Sequence, residues 1–254
     1  IEGDDQLVAG TALLYYRYDG GAWQSTPLVP VGGELWNATL PAPACGDLPE
    51  YYFSATGQIT GEVLAPAAGA TAPFSALVGT YIEILEDNFQ SDLGWTVDSA
   101  AGITSGVWQR AIPFGADDGS PPEDFDASGW CYVTDNRATF DVDGGPTYLT
   151  SPVLDLSGAD DPMLRFAAWF TCDDPIPPAQ DFLDVHVSSD GGATWVQVAH
   201  ISNFDGWVLH EVHLADYIPL TAGFQVRFTA IDLPNNSRTE AAVDAVKVFD
   251  VSCE

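Results

Sequence analysis

The stretch "DVHVSSDGGATWVQV", at 184–198, indicates the fold class of this chain most directly. Apolar and polar residues alternate on both sides of a turn made of Asp190, Gly191 and Gly192, and a period of two is typical of half-buried β-strands. An Asp accepts backbone N–H bonds across such a turn, and Gly adopts the positive φ angles that tight hairpins need. The stretch therefore predicts a β-hairpin, with Trp195 folding back onto it.

The same period recurs along the chain. Segments bounded by Gly, Pro, Asn and Asp repeat it, among them "EYYFSATG" at 50–57, "FQVRFTAID" at 224–232 and "AAVDAVKVFDV" at 241–251. No long segment has apolar residues at the helical spacing. Many short strands at regular intervals are typical of sandwiches and barrels, so we predict an all-β protein.

A run rich in Ala, Gly and Pro, "APAAGATAPFSALVG" at 65–79, predicts a boundary that divides the chain into residues 1–80 and 81–254. In the first part, "LYYRYDGGAWQSTPL" at 14–28 predicts two strands joined by a tight turn. This part resembles the immunoglobulin-like and fibronectin-III-like modules of secreted bacterial proteins. The resemblance implies a small β-sandwich.

The second part carries an ordered set of short motifs. They include "EDNFQSDLGWTVDS" at 86–99, "YLTSPVLDLSG" at 148–158 and the hairpin at 184–198. Their order resembles the cleaved-adhesin domain of secreted bacterial peptidases and, more distantly, the MAM domain of animal surface proteins. The resemblance implies a jelly-roll sandwich and a role outside the cell or at its surface.

Within the hairpin, "SSDGGATW" at 188–195 resembles the Asp-box, which is repeated around the propellers of sialidases. Here it occurs once, and its nearest echo, "DGGAW" at 19–23, lacks the Ser and the Thr. A propeller needs its motif in every blade. We therefore interpret the motif as a hairpin staple and not as a sign of catalysis.

The charge balance excludes several partners. The chain has 37 acidic and 7 basic residues, a formal net charge of −30. Nucleic acids and anionic membrane surfaces would be repelled, and no apolar run reaches the roughly 20 residues that cross a bilayer. Acidic loops indicate either calcium binding or saline surroundings, and the two are compatible.

Because the sequence begins with Ile1, we expect a mature or trimmed chain whose signal peptide, if any, is absent.

Two acidic strings suggest how calcium would be bound. "EDFDASG" at 123–129 places Asp124, Asp126 and Ser128 at alternate positions before a Gly, as the first half of an EF-hand loop does. "DVDGG" at 141–145 has the same pattern, with Asp141 and Asp143 at alternate positions before Gly residues. Each string read alone is equally consistent with an acidic surface turn.

Asp244 interrupts an apolar stretch, where a charge is costly unless it is paired or metal-bound. Arg227 or Arg238 is an alternative partner for it. Jelly rolls of the resembled kind commonly bind structural Ca2+ through an acid near the first strand (here Glu86 or Asp87), loop acids and an Asp on the last strand. The predicted Ca2+ ligands are therefore Asp87, Asp124, Asp126, Asp141, Asp143 and Asp244.

The four cysteines, Cys45, Cys131, Cys172 and Cys253, are widely spaced and form no C-x-x-C pair. This spacing argues against a zinc or iron–sulfur site and favours disulfides in an oxidising compartment. Cys131 with Cys172 is the preferred pair, since both fall in the second domain. Sequence alone leaves the connectivity open.

Catalytic motifs are absent, since the chain has neither a G-x-S-x-G elbow nor an H-E-x-x-H motif. We expect no enzyme, but a calcium-stabilised module for adhesion or substrate targeting in a larger secreted or cell-surface protein. Its partner would be an extracellular protein or glycan, with Trp130 as the best exposed ligand-binding residue. Alternatives are a repeating subunit of an extracellular filament or surface layer, binding copies of itself, and, third, a glycoside hydrolase.

Overall fold

In a computed structural model, the regular secondary structure of the chain is almost entirely β-strand, as the alternating pattern predicted. The structure describes residues 5–33, 35–45, 47–76, 78–115, 119–173, 181–203, 206–233 and 237–252. It divides into two compact units, one of Ile1–Tyr81 with Val251–Glu254 and one of Ile82–Asp250. The described residues include no helix with the length and apolar character needed to cross a membrane.

The first unit is built on one antiparallel sheet in the order β2-β1-β5-β6, with β7 paired to β5, and on a separate hairpin of β3 and β4. Aromatic rings cover this sheet: Tyr15 and Tyr52 stack at 4.7 Å, and Trp23 meets Tyr52 edge-on at 5.0 Å. A short 3-10 helix at Gly69–Thr71 precedes the last strand of the unit. The strands are β1 Leu13–Arg17, β2 Gln24–Pro27, β3 Val29–Gly32, β4 Leu35–Asn37, β5 Glu50–Gly57, β6 Gly61–Ala65 and β7 Phe74–Ser75.

The second unit consists of two sheets. One has the order β10-β11-β18-β13-β16, with β8 paired to β18, and the other has the order β15-β14-β17-β12-β9. A 3-10 helix, Leu214–Asp216, follows β16. The strands are β8 Thr80–Asp87, β9 Thr96–Ser99, β10 Trp108–Ala111, β11 Cys131–Thr134, β12 Gly144–Thr150, β13 Met163–Cys172, β14 Leu183–Ser188, β15 Val196–Ile201, β16 Val208–His213, β17 Gln225–Asp232 and β18 Thr239–Ser252.

The core of the second unit lies between the two sheets. Every second residue of β17 is buried, and Val226, Phe228 and Ala230 of that strand lie in one cluster with Phe166 of β13. The rings of Phe166 and Phe228 meet edge-on, 5.1 Å apart, across the interior. Burial of such alternating apolar faces drives the two sheets together, so the unit is a β-sandwich.

The hairpin predicted at 184–198 forms between β14 and β15. Oδ1 of Asp190 accepts the backbone N–H of Thr194 at 2.8 Å, and its Oδ2 accepts the Thr194 hydroxyl at 2.6 Å. The Ser188 hydroxyl donates to Asp190 at 2.8 Å and accepts the N–H of Gly192 at 2.9 Å. The Ser, Asp and Thr side chains of the motif therefore close the turn.

The predicted disulfide between Cys131 and Cys172 is wrong, because Cys131 is a buried free cysteine and is not bonded to Cys172. Strand β18 lies between β11 and β13, and two strand spacings are about 10 Å, beyond the reach of a disulfide. Cys131 also packs with Val133 on the outer face of the sheet, whereas Cys172 belongs to the core. Cys45 is not a free thiol, and Cys253 lies outside the described residues.

Candidate metal centre

Three of the predicted ligands come together in the second unit. Oxygens of Asp124, Asp126 and Asp244 all lie within 4.8 Å of one another. Two of these residues belong to the loop at 119–129, which precedes β11, and the third lies on β18. The structure thus joins the acidic string at 123–129 to the charge that interrupts the last strand.

A bulge in β18 aims the carboxylate of Asp244. Its neighbour Ala245 has a positive φ of 49°, and the pairing of β18 with β13 shifts register at this point. Oδ1 of Asp244 accepts the N–H of Ala245 at 2.7 Å, and its Oδ2 accepts the N–H of Phe125 at 2.9 Å. The carboxylate is fully buried under the 119–129 loop.

Indole N–H groups hold this loop against the outer face of the sheet. Trp169 on β13 donates to the carbonyl oxygen of Gly119 at 2.8 Å, and Trp207 donates to that of Glu123 at 3.0 Å. The ring of Trp207 also packs 6.2 Å from that of Phe125. Sequence reasoning missed this role of the two tryptophans. The signal was the alternation in β13, which places Trp169 on the face opposite to Phe166 and Phe170.

Local hydrogen bonds orient the two loop carboxylates. Oδ2 of Asp124 accepts the N–H of Gly129 at 2.6 Å and the hydroxyl of Ser128 at 3.2 Å. Oδ1 of Asp126 accepts the N–H of Ser128 at 2.9 Å. The carbonyl oxygen of Asn88 lies 3.5 Å from the Ser128 hydroxyl, so a further oxygen borders the group.

Among the residues that the structure describes, no ion pair includes Asp124, Asp126 or Asp244. Burial raises the pKa of Asp244 to about 7, against the lowering effect of its two N–H donors, and the charges of Asp126 and Asp124 raise it further. The alternative partners predicted from the sequence lie elsewhere: Arg238 pairs with Asp173, and Arg227 packs on aromatic rings. Carboxylate and carbonyl oxygens are the ligands of hard divalent cations such as Ca2+, so the donor set fits such an ion.

Asp87 is engaged differently. Its Oδ1 accepts the N–H of Phe89 at 2.7 Å, and its Oδ2 accepts the indole N–H of Trp95 at 2.8 Å, so both oxygens stabilise the turn after β8. Burial raises the pKa of Asp87. The residue lines a cavity of about 270 Å³ together with Asn88 and Asp126, beside the three carboxylates but outside their group.

Asp141 and Asp143 do not join the group. Oδ2 of Asp141 accepts the N–H of Thr239 at 3.0 Å, and Oδ2 of Asp143 accepts the hydroxyl of Ser105 at 2.7 Å. The Ser105 hydroxyl also contacts the carbonyl oxygen of Asp141 at 2.7 Å. These contacts fasten one loop to the start of β18, so the second acidic string lies apart from the first.

Trp130, the predicted ligand-binding residue, is partly buried and packs against the core. The guanidinium of Arg110 lies over its ring, 4.3 Å from the centroid. That face of the ring is therefore covered. A ligand role for Trp130 stays a prediction.

No protein-family model matches the chain, and no curated protein matches it. Among solved structures, a cleaved adhesin domain of Lys-gingipain from Porphyromonas gingivalis is 16% identical, with a TM-score of 0.43, over 67% of this chain and 99% of that one. A family 11 carbohydrate-binding module from Clostridium thermocellum, in complex with a mixed-linked tetrasaccharide, is 14% identical, with a TM-score of 0.42, over 70% and 100%. An enzymatically active domain of a bacteriophage CBA120 tailspike is 12% identical, with a TM-score of 0.41, over 67% and 21%. Similarity at this level assigns no family and no function to the chain.

Proposed function

We propose that this chain is a non-catalytic, calcium-stabilised binding module of an extracellular or cell-surface protein, acting in adhesion or in targeting to a substrate. The observation that carries the proposal is the group of Asp124, Asp126 and Asp244, three carboxylates on two distant segments, none of which forms an ion pair among the described residues. Three like charges this close repel one another, and either protonation or a bound cation relieves the repulsion. Binding of Ca2+ would fasten the 119–129 loop to β18.

The conditions outside cells suit such a site. Ca2+ sites of extracellular modules work at dissociation constants of about 10⁻⁴ to 10⁻³ M, where calcium is plentiful. A net charge of −30 keeps a chain soluble and opposes binding to nucleic acid. Both features support a secreted or surface-exposed location.

The histidines make local contacts in the second unit. His200 and His213 contact the carboxylates of Asp184 and Asp161, and His210 stacks on the ring of Phe166. The glycoside hydrolase and filament hypotheses both stay predictions.

The test measures the thermal stability of the chain with and without metal ions, and its turnover of glycosides. Thermal unfolding of the full chain is measured in EDTA, in Mg2+ and in Ca2+, for the wild type and for Asp126→Asn, with Asp155→Asn as the matched surface control. We expect Ca2+ to raise the Tm of the wild type and of the control, but not of Asp126→Asn. Equal Tm values in Ca2+ and EDTA would overturn the calcium proposal. Turnover of a glycoside by the purified chain would overturn the non-catalytic role.

A further inference from the structure

The outer face of the five-stranded sheet carries two rows of polar and aromatic side chains. Register places Asp98, Tyr148, Thr229, Asp184 and His200 in one row across β9, β12, β17, β14 and β15. The parallel row is Thr96, Thr150, Arg227, His186 and Gln197. Five strands make this face about 19 Å wide. We call these ten residues, with Trp195, the sheet-face site.

Arg227 lies at the centre of the sheet-face site. Its guanidinium carbon is 4.2 Å from the ring centroid of Trp195 and 4.8 Å from that of Tyr148. Trp195 is the last residue of the 188–195 stretch, and its ring contacts Arg227 on β17. Cation–π contacts of this kind fix the direction of a guanidinium without neutralising its charge.

A second hairpin of the chain provides an internal comparison. In the first unit, Trp23 follows another Asp-Gly-Gly turn and also packs on an arginine, Arg17, at 4.6 Å. Arg17 forms an ion pair with Glu50 at 2.6 Å. Arg227 has the same aromatic contact, but among the described residues it has no carboxylate partner. Its charge is therefore available to an anion.

Neighbouring polar atoms on this face also lack partners. Nε of Arg227, Nδ1 of His186 and Oγ1 of Thr229 are buried without a hydrogen bond among the described residues. His186 lies directly opposite Arg227 across the β14–β17 pairing. Burial lowers the pKa of His186, and the charge of Arg227 lowers it further. Buried polar atoms without partners cost stability, and these three lie on the two rows around Arg227.

We propose that the sheet-face site binds a carbohydrate that carries a carboxylate, such as a uronic or sialic acid, with Arg227 receiving the carboxylate. A guanidinium presents parallel N–H donors that match a carboxylate. The rings of Trp195 and Tyr148 hold that guanidinium in place. This inference rests on the proposed binding function and names its ligand class.

The remaining side chains of the face favour a sugar as the bearer of the carboxylate. Asp184 accepts hydrogen bonds from His200 at 2.6 Å and from Gln197 at 2.9 Å. These donors weaken the repulsion between Asp184 and an anion, and Asp184 is still able to accept hydrogen bonds from hydroxyl groups. Asp98, at the far edge on β9, is exposed and is a second acceptor. Rows that mix aromatic rings, acceptors and donors suit the many hydroxyl groups of an oligosaccharide.

The test is a glycan array in Ca2+ that pairs uronic- and sialic-acid oligosaccharides with their amidated, neutral counterparts. It is probed with the wild-type chain, Arg227→Gln, Arg227→Lys and, as the charge-matched control, Arg238→Gln. We expect binding of acidic glycans by the wild type and the control, at least a tenfold loss in Arg227→Gln, and an intermediate loss in Arg227→Lys, which keeps the charge but not the planar fork. Unchanged Tm values for the variants establish that they fold.

The outcomes separate this inference from the function on which it rests. Binding of neutral glycans that persists in Arg227→Gln overturns the acidic ligand and leaves the binding module standing. Binding of no glycan, with a Tm that still responds to Ca2+, overturns the sheet-face site but not the calcium proposal. Acidic-glycan binding that is unchanged in Arg227→Gln assigns the ligand to another face and also overturns the inference.

Discussion

The backbone N–H of Phe125 donates a hydrogen bond of 2.9 Å to Oδ2 of Asp244, joining residues that are 119 positions apart. The contact places a loop carboxylate, Asp124, next to one on the last strand. Charge repulsion opposes this approach, and a bound cation would reverse the balance. On the proposed function, stability and metal binding would be coupled at this one backbone hydrogen bond.

Asp244→Asn tests this coupling. The amide keeps one of the two oxygens that accept backbone N–H groups and removes a buried charge. We therefore expect no Ca2+-dependent rise in Tm, and a lower Tm in EDTA because one N–H loses its acceptor. Asp250→Asn is the matched control, because Asp250 is also buried on β18 and accepts the N–H groups of Asp160 and Asp161. The control should lower the Tm equally in both conditions. A full Ca2+ response in Asp244→Asn would remove this residue from the site.

Trp207→Phe tests the anchoring of the 119–129 loop. The variant keeps an aromatic ring beside Phe125 and loses the donor to Glu123, so we expect a several-fold weaker Ca2+ affinity with every carboxylate in place. Trp108→Phe, which removes a 3.3 Å bond to the carbonyl of Thr147, should change the Tm but not the affinity. Calorimetric titration of Ca2+ into each variant measures the effect. Equal affinities would show that the tryptophan does not position the loop.

Asp232 makes stability depend on pH. Burial raises its pKa to about 6, and the charges of Asp181 and Asp141 add to the increase. Because an unfolded Asp titrates near pH 4, the folded state binds the extra proton between about pH 4 and about 6. The free energy of unfolding therefore falls as pH rises through this window, by on the order of 2 to 3 kcal/mol. Urea titrations should show a flatter profile for Asp232→Asn, and an unchanged slope would contradict the assignment.

Asp190→Ala should loosen the 188–195 hairpin. Its contacts with Thr194 and Ser188 lower the pKa of Asp190 to about 2. The ionised form is thus favoured in the fold, and its stabilising effect is lost as pH falls toward that value. We expect a lower Tm above pH 4 and faster hydrogen exchange at the Thr194 amide. Exchange as slow as in the wild type would show that the glycines alone specify the turn.

Alkylation tests whether the two buried cysteines, Cys131 and Cys172, carry thiols. Cys131 and Cys172 should not react with an alkylating reagent in the native state, since both are buried and burial raises the pKa of Cys131 above its ordinary range. In denaturant, mass spectrometry should find both labelled. Labelling of neither under denaturing, non-reducing conditions would indicate that they are paired.

Most of the fold and part of the candidate metal site could be predicted from the sequence. Alternation in segments such as Leu183–Ser188 reflects one buried sheet face, which is a local property and can be read from residue order. Asp124 and Asp126 were recognised by their spacing, and Asp244 by its apolar surroundings. The three meet because a bulge and a covering loop bring them together.

What could not be predicted depends on which strands are neighbours. The error over Cys131 and Cys172 arose because β18 separates their strands, an arrangement that strand patterns do not specify. The position of Arg227 between Trp195 and Tyr148 likewise depends on the order β15-β14-β17-β12. Register among strands distant in sequence is a property of tertiary packing.

The central place of β18 in its sheet has a consequence for biogenesis. β18 follows the other described strands in sequence, yet it lies between β11 and β13. Until its residues have been synthesised, the β10–β11 and β13–β16 pairs have no strand to join them, and such long-range pairing is slow to form. Asp244 arrives on the same strand. On the proposed function, a nascent chain would be insensitive to calcium until β18 has been made, and closure of the sheet and binding of the ion would both wait for that strand.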